Sequence, residues 1–396
     1  MKKSALIFTA AVVLRLGIVL AFPPPDLSIN DGTSWDRIAQ SLLAGQGFVE
    51  YGKPTAVRPP AYPLFLASVY GIFGHSLRAA RIIQAILGAC TCVLIFWTGL
   101  KFLDEKTAFF GSLLSCFYPS LVIYPAIIGS EVLYTFLLAL LIWVLTDALT
   151  KASLQRFLWA GILLGAANLC RSTLILFPFF LLALLFPLRA NRKSILYLAL
   201  ATAVSFAVIA PWTLRNYRIF GGFMPVNVSS GQLFWVGTLE DSGGQYVGNE
   251  YPGYRQFDPL LGDPIAWEKA MFRAGLKNIR DKPLVFAKLT ALKFYRLWFE
   301  PIGRNVLAAR SPALARAYSA GHATLVLLAF WGLVCSWGKR ENLWVVYALF
   351  FYFGVMHNLV APMARFRYPI EPYLVLFAVY GASRFFRAEI SAGTGL

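Results

Sequence analysis

About ten separate runs of mostly apolar residues, most of them near the length of one bilayer crossing, constrain this chain before any motif is read. A helix needs about 20 such residues to cross the hydrocarbon core. The runs are Ser4–Phe22, Arg81–Leu103, Thr107–Ile123, Val132–Leu149, Phe157–Leu169, Leu174–Leu188, Ile195–Trp212, Tyr318–Trp337, Leu343–Asn358 and Pro369–Phe386. Lipid offers no partner to a backbone N–H or C=O, so each run reads as a helix that satisfies its own. Composition agrees: 58% of the 396 residues are hydrophobic and 14% are charged, against about 25% charged in a soluble domain. The expected fold class is an all-α polytopic membrane protein, one transmembrane unit over residues 1–396. Several runs are short, so broken or tilted helices are expected. Arg15 interrupts the first run and no small-x-small cleavage site follows, which favours an uncleaved helix over a signal peptide.

The net charge of +17 would suggest nucleic acid in a soluble protein. Here the basic residues flank apolar runs and form no stripe, so they read as topology signals and contacts to anionic lipid. No nucleic-acid partner is expected. With the amino terminus in the cytoplasm, Lys2/Lys3, Lys101/Lys106, Lys151/Arg156, Arg189/Arg192/Lys193, Lys339/Arg340 and Arg384/Arg387 fall on one side. Every short loop there carries at least two basic residues, which places both termini in the cytoplasm. The two long hydrophilic segments, 23–80 and 213–317, are then extracytoplasmic, and chemistry is expected at that face. No internal repeat or matched pair of broken helices marks a secondary transporter. Cys90, Cys92, Cys116, Cys170 and Cys335 lie inside apolar runs without metal-ligand spacing, and read as small packing residues.

The second long segment has readable structure. Asp263-Pro264 is a helix start, with a capping carboxylate and Pro at the first position, and Asp281-Lys282-Pro283 is its stop. Residues Leu284–Phe299 set Lys288, Lys293 and Arg296 among aromatic and aliphatic side chains, the pattern of a helix lying on the membrane with basic groups toward the headgroups.

The first long segment carries Asp31 just beyond the first span, with Trp35 and Ile38 at i+4 and i+7. Two readings stay open there: a carboxylate cap for the next helix, or an acid near the lipid phosphates. Arg58 stands before Pro59-Pro60, whose fixed backbone can aim a guanidinium at a phosphate; a snorkelling Arg is the alternative. Glu131 opens the fourth span at the outer face, either as a functional acid or as a charge complementing the helix dipole. Arg171, Arg215, Arg365 and Arg367 complete a ring of positive charge at one face, which fits an anionic lipid substrate. His75, His322 and His357 are isolated, and only His357 is near the ring.

In order and spacing these motifs resemble the bacterial members of glycosyltransferase family 39, the protein O-mannosyltransferase-like group, and the related lipid A aminoarabinose transferases, all GT-C enzymes. The carriers are Asp31 with Trp35, Leu43-Ala44-Gly45-Gln46-Gly47-Phe48, Arg58-Pro59-Pro60-Ala61-Tyr62-Pro63, Ser130-Glu131, Pro211-Trp212-Thr213-Leu214-Arg215-Asn216-Tyr217, Phe234-Trp235-Val236-Gly237 and Arg365-Phe366-Arg367-Tyr368-Pro369. Gly32 stands where many relatives have a second acid, and Val57-Arg58 where aminoarabinose transferases have Glu-Lys.

The resemblance implies a GT-C fold of about ten transmembrane helices, with segment 23–80 as a catalytic loop and segment 213–317 carrying amphipathic helices. It implies inverting transfer of a sugar from a polyprenyl-phosphate donor to an envelope glycan, lipid or protein at the extracytoplasmic face of a bacterial inner membrane. Asp31 and Glu131 would be catalytic. Arg58, Arg171, Arg215, Arg365 and Arg367 would hold the donor phosphate, and Trp35, Asp36, Tyr62, Tyr124 and His357 would line the substrate. A divalent cation, Mg or Mn, at Asp31 and Glu131 is left open. The competing readings are a lipid-linked sugar flippase or transporter, and a non-catalytic envelope assembly protein.

Overall fold

Helix ends here are set by Pro, Gly and capping side chains rather than by the limits of hydropathy. A computed structural model describes residues 1–23, 27, 31–185, 191–248, 250–337 and 340–393, with side chains characterised except at 185, 340–342 and 387–393. Of the basic residues used for orientation, Arg189, Lys339 and the side chains of Arg340 and Arg387 lie outside the described residues.

α1 (Lys2–Ala21) is followed by α2 (Gly32–Leu43), a short hairpin of β1 (Val49–Glu50) and β2 (Lys53–Pro54), and α3 (Ala61–Phe73). The hairpin departs slightly from an all-α chain. It pairs Val49 with Pro54 and Glu50 with Lys53, and turns through Tyr51 and Gly52, both at positive φ, as a tight two-residue hairpin turn requires. Next come α4 (Leu77–Gly99), α5 (Glu105–Phe117), α6 (Pro119–Ile123), α7 (Glu131–Lys151), α8 (Leu154–Cys170), α9 (Phe177–Leu185) and α10 (Arg192–Phe220). The second long segment holds α11 (Ser230–Val236), a 3-10 stretch Pro252–Leu260, α12 (Pro264–Asp281), α13 (Pro283–Phe299) and α14 (Arg304–Arg310). α15 (Pro312–Cys335), α16 (Arg340–Leu359), a 3-10 turn Ala364–Ile370 and α17 (Glu371–Gly393) complete the chain.

This is a multi-pass membrane architecture. Among the described residues, α1, α4, α7, α10 and α15 are long and apolar enough to cross a bilayer, or six spans if the pair α5 and α6 counts as one. That pair bends by 59° at Pro119, which lacks the N–H that would continue the helix. α3, α8, residues Ser172–Leu184 and Leu343–Leu359 are shorter apolar helices. A 3-10 turn over Ser172–Leu174 lies at the boundary of the fifth and sixth runs and precedes α9. α10 runs on to Phe220, so residue 213 falls inside a helix and carries Arg215 and Asn216 on its last turns.

Small residues let the spans approach. A Cβ at Gly332 on α15 would run into the Phe377 carbonyl oxygen of α17, and one at Gly381 into that of Leu328. Gly161 and Gly165 on α8 meet Ala201 and Val208 of α10 in the same way. In lipid, where the hydrophobic effect does not drive helices together, such close packing does. The five cysteines are free, with Cys92, Cys116 and Cys170 buried.

Asp263 accepts hydrogen bonds from the Ile265 and Ala266 amides at 3.0 and 2.9 Å, and Pro264 is the first residue of α12. The basic side of α13 is corrected by the structure. Lys293 is fully buried and donates from Nζ to the Gly237 carbonyl at 3.0 Å; burial pushes its pKa down to about 8. Arg296 likewise donates to the Gly243 carbonyl at 2.6 Å. Both cations fasten the segment after α11 onto α13 instead of facing headgroups, and only Lys288 stays exposed.

Candidate active site

Asp31 sits at the N-cap position of α2, yet its side chain makes no capping hydrogen bond. The carboxylate turns instead to two guanidinium groups. Oδ1 accepts from Arg58 Nη2 at 2.7 Å and Oδ2 from Arg365 Nη2 at 3.2 Å. Arg58 is aimed by the rigid Pro59-Pro60 that follows it. Its Nε donates to Ser34 Oγ at 3.2 Å, and its guanidinium lies over the Trp35 ring at 5.1 Å. Arg365 comes from the 3-10 turn before α17. One acid from the first long segment thus joins cations far apart in the chain.

Burial would raise the Asp31 pKa, but the charges of Arg58 and then Arg365, with the Arg58 hydrogen bond, outweigh it and hold the carboxyl below its ordinary value. Opposite charges within a few ångströms favour the ionised form.

Glu131 is the first residue of α7 and is buried. Its Oε1 meets Arg171 Nη1 at 2.8 Å. Arg171 stands at the C-cap of α8 in extended conformation and places its guanidinium 5.8 Å from the Phe366 ring centroid, next to Arg365 in the chain. Both acid–guanidinium pairs line one cavity of about 1350 Å³, together with Trp35, Tyr124 and His357. Tyr124 stacks on Tyr368 with ring centroids 4.4 Å apart. His357 Nδ1 lies 2.9 Å from the Phe353 carbonyl oxygen, and its ring packs 5.3 Å from Phe366.

Four residues expected at the site do not line this cavity. Arg215 donates to the carbonyls of Thr55 and Phe48 at 2.8 and 2.9 Å, with Trp212, Phe48 and Phe220 around its guanidinium; it clamps the hairpin region onto α10. Arg367 is fully buried against Glu371 and the carbonyls of Leu297 and Glu300. Asp36 accepts from Tyr70 and Gln40, each at 2.7 Å, and lies 2.8 Å from His75 Nε2. Tyr62 is fully buried and donates to Gln84 Oε1 at 2.7 Å. Each has its polar groups occupied by protein partners that only the folded chain brings near.

The sequence reading missed Ser34, the partner of Arg58, and Tyr134, which lines the cavity one turn after Glu131. Spacing of i+3 on α7 could have flagged Tyr134. It also missed the wall made by Asn227, Gln232, Tyr246, Tyr254, Asp258 and Trp267.

The donor set does not fit a resident divalent cation. A hard cation wants several oxygen ligands free to coordinate. Asp31 and Glu131 are each tied to a guanidinium, and no cluster of three His, Cys, Asp or Glu occurs among the described residues.

Residues 57–214 match the family model of dolichyl-phosphate-mannose-protein mannosyltransferases. The match contains Arg58, Glu131 and Arg171 and leaves Asp31 and Arg365 outside. Among solved structures, the chain resembles the oligosaccharyltransferase of Archaeoglobus fulgidus tethered with an acceptor peptide containing the NVT sequon. The TM-score is 0.61 at 14% identity, over 97% of this chain and 50% of that one. The chain has a GT-C fold. The same archaeal enzyme, AglB, in complex with an inhibitory peptide and a dolichol-phosphate gives 0.59 at 14%, covering 98% of this chain and 52% of that. Its complex with Zn and sulfate gives 0.58 at 15%, covering 96% and 49%. The chain therefore spans about half the length of the oligosaccharyltransferase it resembles. No curated protein sequence matches it. The matched family and the similar structures are glycosyltransferases, and the resemblance read from the motifs extends to the fold.

Proposed function

We propose that this GT-C chain transfers a sugar, with inversion, from a polyprenyl-phosphate donor to an acceptor hydroxyl at the extracytoplasmic face of a bacterial inner membrane. The observation that carries the reading is the joining of Arg58, Arg171 and Arg365 with Asp31 and Glu131 on one cavity. Within the ion-paired cluster itself, three guanidiniums face two carboxylates, which suits the single negative charge of a phosphodiester bound there. The dolichol-phosphate complex of the similar enzyme supports a lipid-phosphate ligand. The basic short loops support the orientation.

In this reading the donor phosphate draws Arg58 and Arg365 from the Asp31 carboxylate by charge-assisted hydrogen bonds. The freed carboxylate accepts the proton of the acceptor hydroxyl as that oxygen bonds to the anomeric carbon. The bond from that carbon to the phosphate oxygen breaks, and its electron pair leaves with the polyprenyl phosphate. Guanidinium charge stabilises that anion. Glu131, held by Arg171, orients the acceptor. The flank of Ile175, Leu176, Met356 and Leu359 along the cavity suits the prenyl chain.

The test is transfer from a polyprenyl-phosphate sugar by the purified protein in nanodiscs, followed as release of polyprenyl phosphate. No release with any of a panel of hexose and pentose donors ends the proposal. A pH prediction follows from the Asp31 environment. A carboxyl titrating below its ordinary value stays charged as pH falls, so the acid limb of kcat/KM is expected below the usual aspartate range. Arg58→Met removes the stronger cationic partner and should move that limb to higher pH, whatever it does to the maximal rate. An unmoved limb would assign the titration to another group.

A further inference from the structure

The second long segment supplies one wall of the cavity, and its chemistry differs from that of the acid–guanidinium pairs. Nine Lys and Arg residues lie between positions 250 and 300, yet among the described residues none of them lines the cavity. Several are held elsewhere: Lys277 on Asp281 and Lys282 on Glu240, each at 2.8 Å, and Lys293 and Arg296 on backbone carbonyls. The polar part of the wall is Tyr246, Tyr254 and Trp267, the amides of Asn227 and Gln232, and the Asp258 carboxylate, beside an apolar part that includes Phe234, Leu261, Phe272 and Phe286.

These groups sit on a fixed platform. Gln232 Nε2 donates to the Tyr254 hydroxyl at 3.0 Å. Asn227 accepts from Ser172 at 2.9 Å and donates to Ser229 at 2.8 Å. Glu268 on α12 accepts from the Gly231 amide at 2.6 Å, which joins α12 to α11. Trp267 packs against the cluster around Trp235, Tyr254 and Phe257.

The chemistry of this wall selects among ligands. An anionic group would find a carboxylate and no cation. An acyl chain would cover the amides and the carboxylate without replacing their hydrogen bonds with water, which is costly. A neutral sugar fits both halves. Its C–H faces carry partial positive charge and lie well on the negative faces of aromatic rings, and its hydroxyls bond amides and a carboxylate. Leu276 and Ile279 add apolar area beside it.

We infer that this wall seats a neutral oligosaccharide as the acceptor, stacked on Trp267 and hydrogen-bonded by Asp258 and Gln232. The inference rests on the transferase reading above, in that it names that site's acceptor class.

The experiment measures binding of neutral trisaccharides of glucose, mannose and N-acetylglucosamine to the full chain in nanodiscs, by titration calorimetry and saturation-transfer NMR. At least one is expected to bind saturably. Its affinity should fall about tenfold in Asp258→Asn, the effect of losing one hydrogen bond to a charged group, and at least as much in Trp267→Leu. Asp258 is exposed, so its isosteric variant keeps the test valid if Trp267→Leu unfolds. Absence of saturable binding by all three sugars, or unchanged affinity in Asp258→Asn, overturns the inference. So does a Ser/Thr-containing decapeptide, or a phosphatidylglycerol probe, that binds through these residues in place of the sugars. Sugar binding that persists while every polyprenyl-phosphate donor fails to turn over would sink the transferase reading and leave the sugar site standing.

Discussion

Asp31→Asn is expected to lower kcat for sugar transfer by about 10²–10⁴-fold, the usual contribution of a positioned general base. The amide keeps the shape of the side chain but cannot take the acceptor proton. Asp31 makes no helix-capping hydrogen bond, so the amide removes none from α2. The side chain is 36% exposed, which leaves room for the neutral form without a buried orphan. Arg58 and Arg365 lose a competing anion, so the KM for a polyprenyl-phosphate donor should hold or fall rather than rise. Single-turnover transfer at saturating donor, with donor binding measured separately, isolates the chemical step. A variant that transfers sugar at the wild-type rate would remove Asp31 from catalysis, and the assignment with it.

The residues at this site were unequally legible in the sequence. Asp31 and Glu131 stood out because an acid beside an apolar run is rare and costly, and the motif order repeated that signal. Whether Asp31 caps α2 or faces a ligand was open, because both readings need the same residue at the same place; only the approach of Arg365 from the other end of the chain separates them. The arginines were less legible. Arg58, Arg171, Arg215, Arg365 and Arg367 all follow or precede apolar segments, and the partner of a guanidinium is a tertiary fact. Arg215 meets carbonyls of Phe48 and Thr55, and Arg367 meets a buried acid. Asp36 fails as a lining residue for the same reason, because His75 and Tyr70 reach it from the far end of α3. The apolar runs were legible as helices but not always in continuity, since Pro119 breaks a run whose composition alone reads through.

Arg367 offers the largest expected effect on stability, and the prediction separates a structural cation from a phosphate ligand. Its side chain is 0% exposed and that of Glu371 is 1% exposed, with Arg367 Nη2 3.1 Å from Glu371 Oε1. The same guanidinium donates to the Leu297 carbonyl and to that of Glu300 at 3.1 Å, and Ser120 donates to the other oxygen of Glu371. The pair therefore ties the start of α17 to the end of α13 and to α6. Arg367→Met leaves the carboxylate buried without its cation, and loss of one partner of such a pair costs about 3–5 kcal/mol. The double variant Arg367→Met/Glu371→Leu removes both charges and should recover part of that loss. Recovery is incomplete because the two carbonyls and the Ser120 hydroxyl stay unpaired. Thermal unfolding of the three proteins in one detergent measures the order. The KM for donor in whatever fraction stays folded should match the wild type, because the guanidinium does not line the cavity. A stable Arg367→Met protein with a KM raised tenfold or more would return Arg367 to the phosphate and refute the structural role.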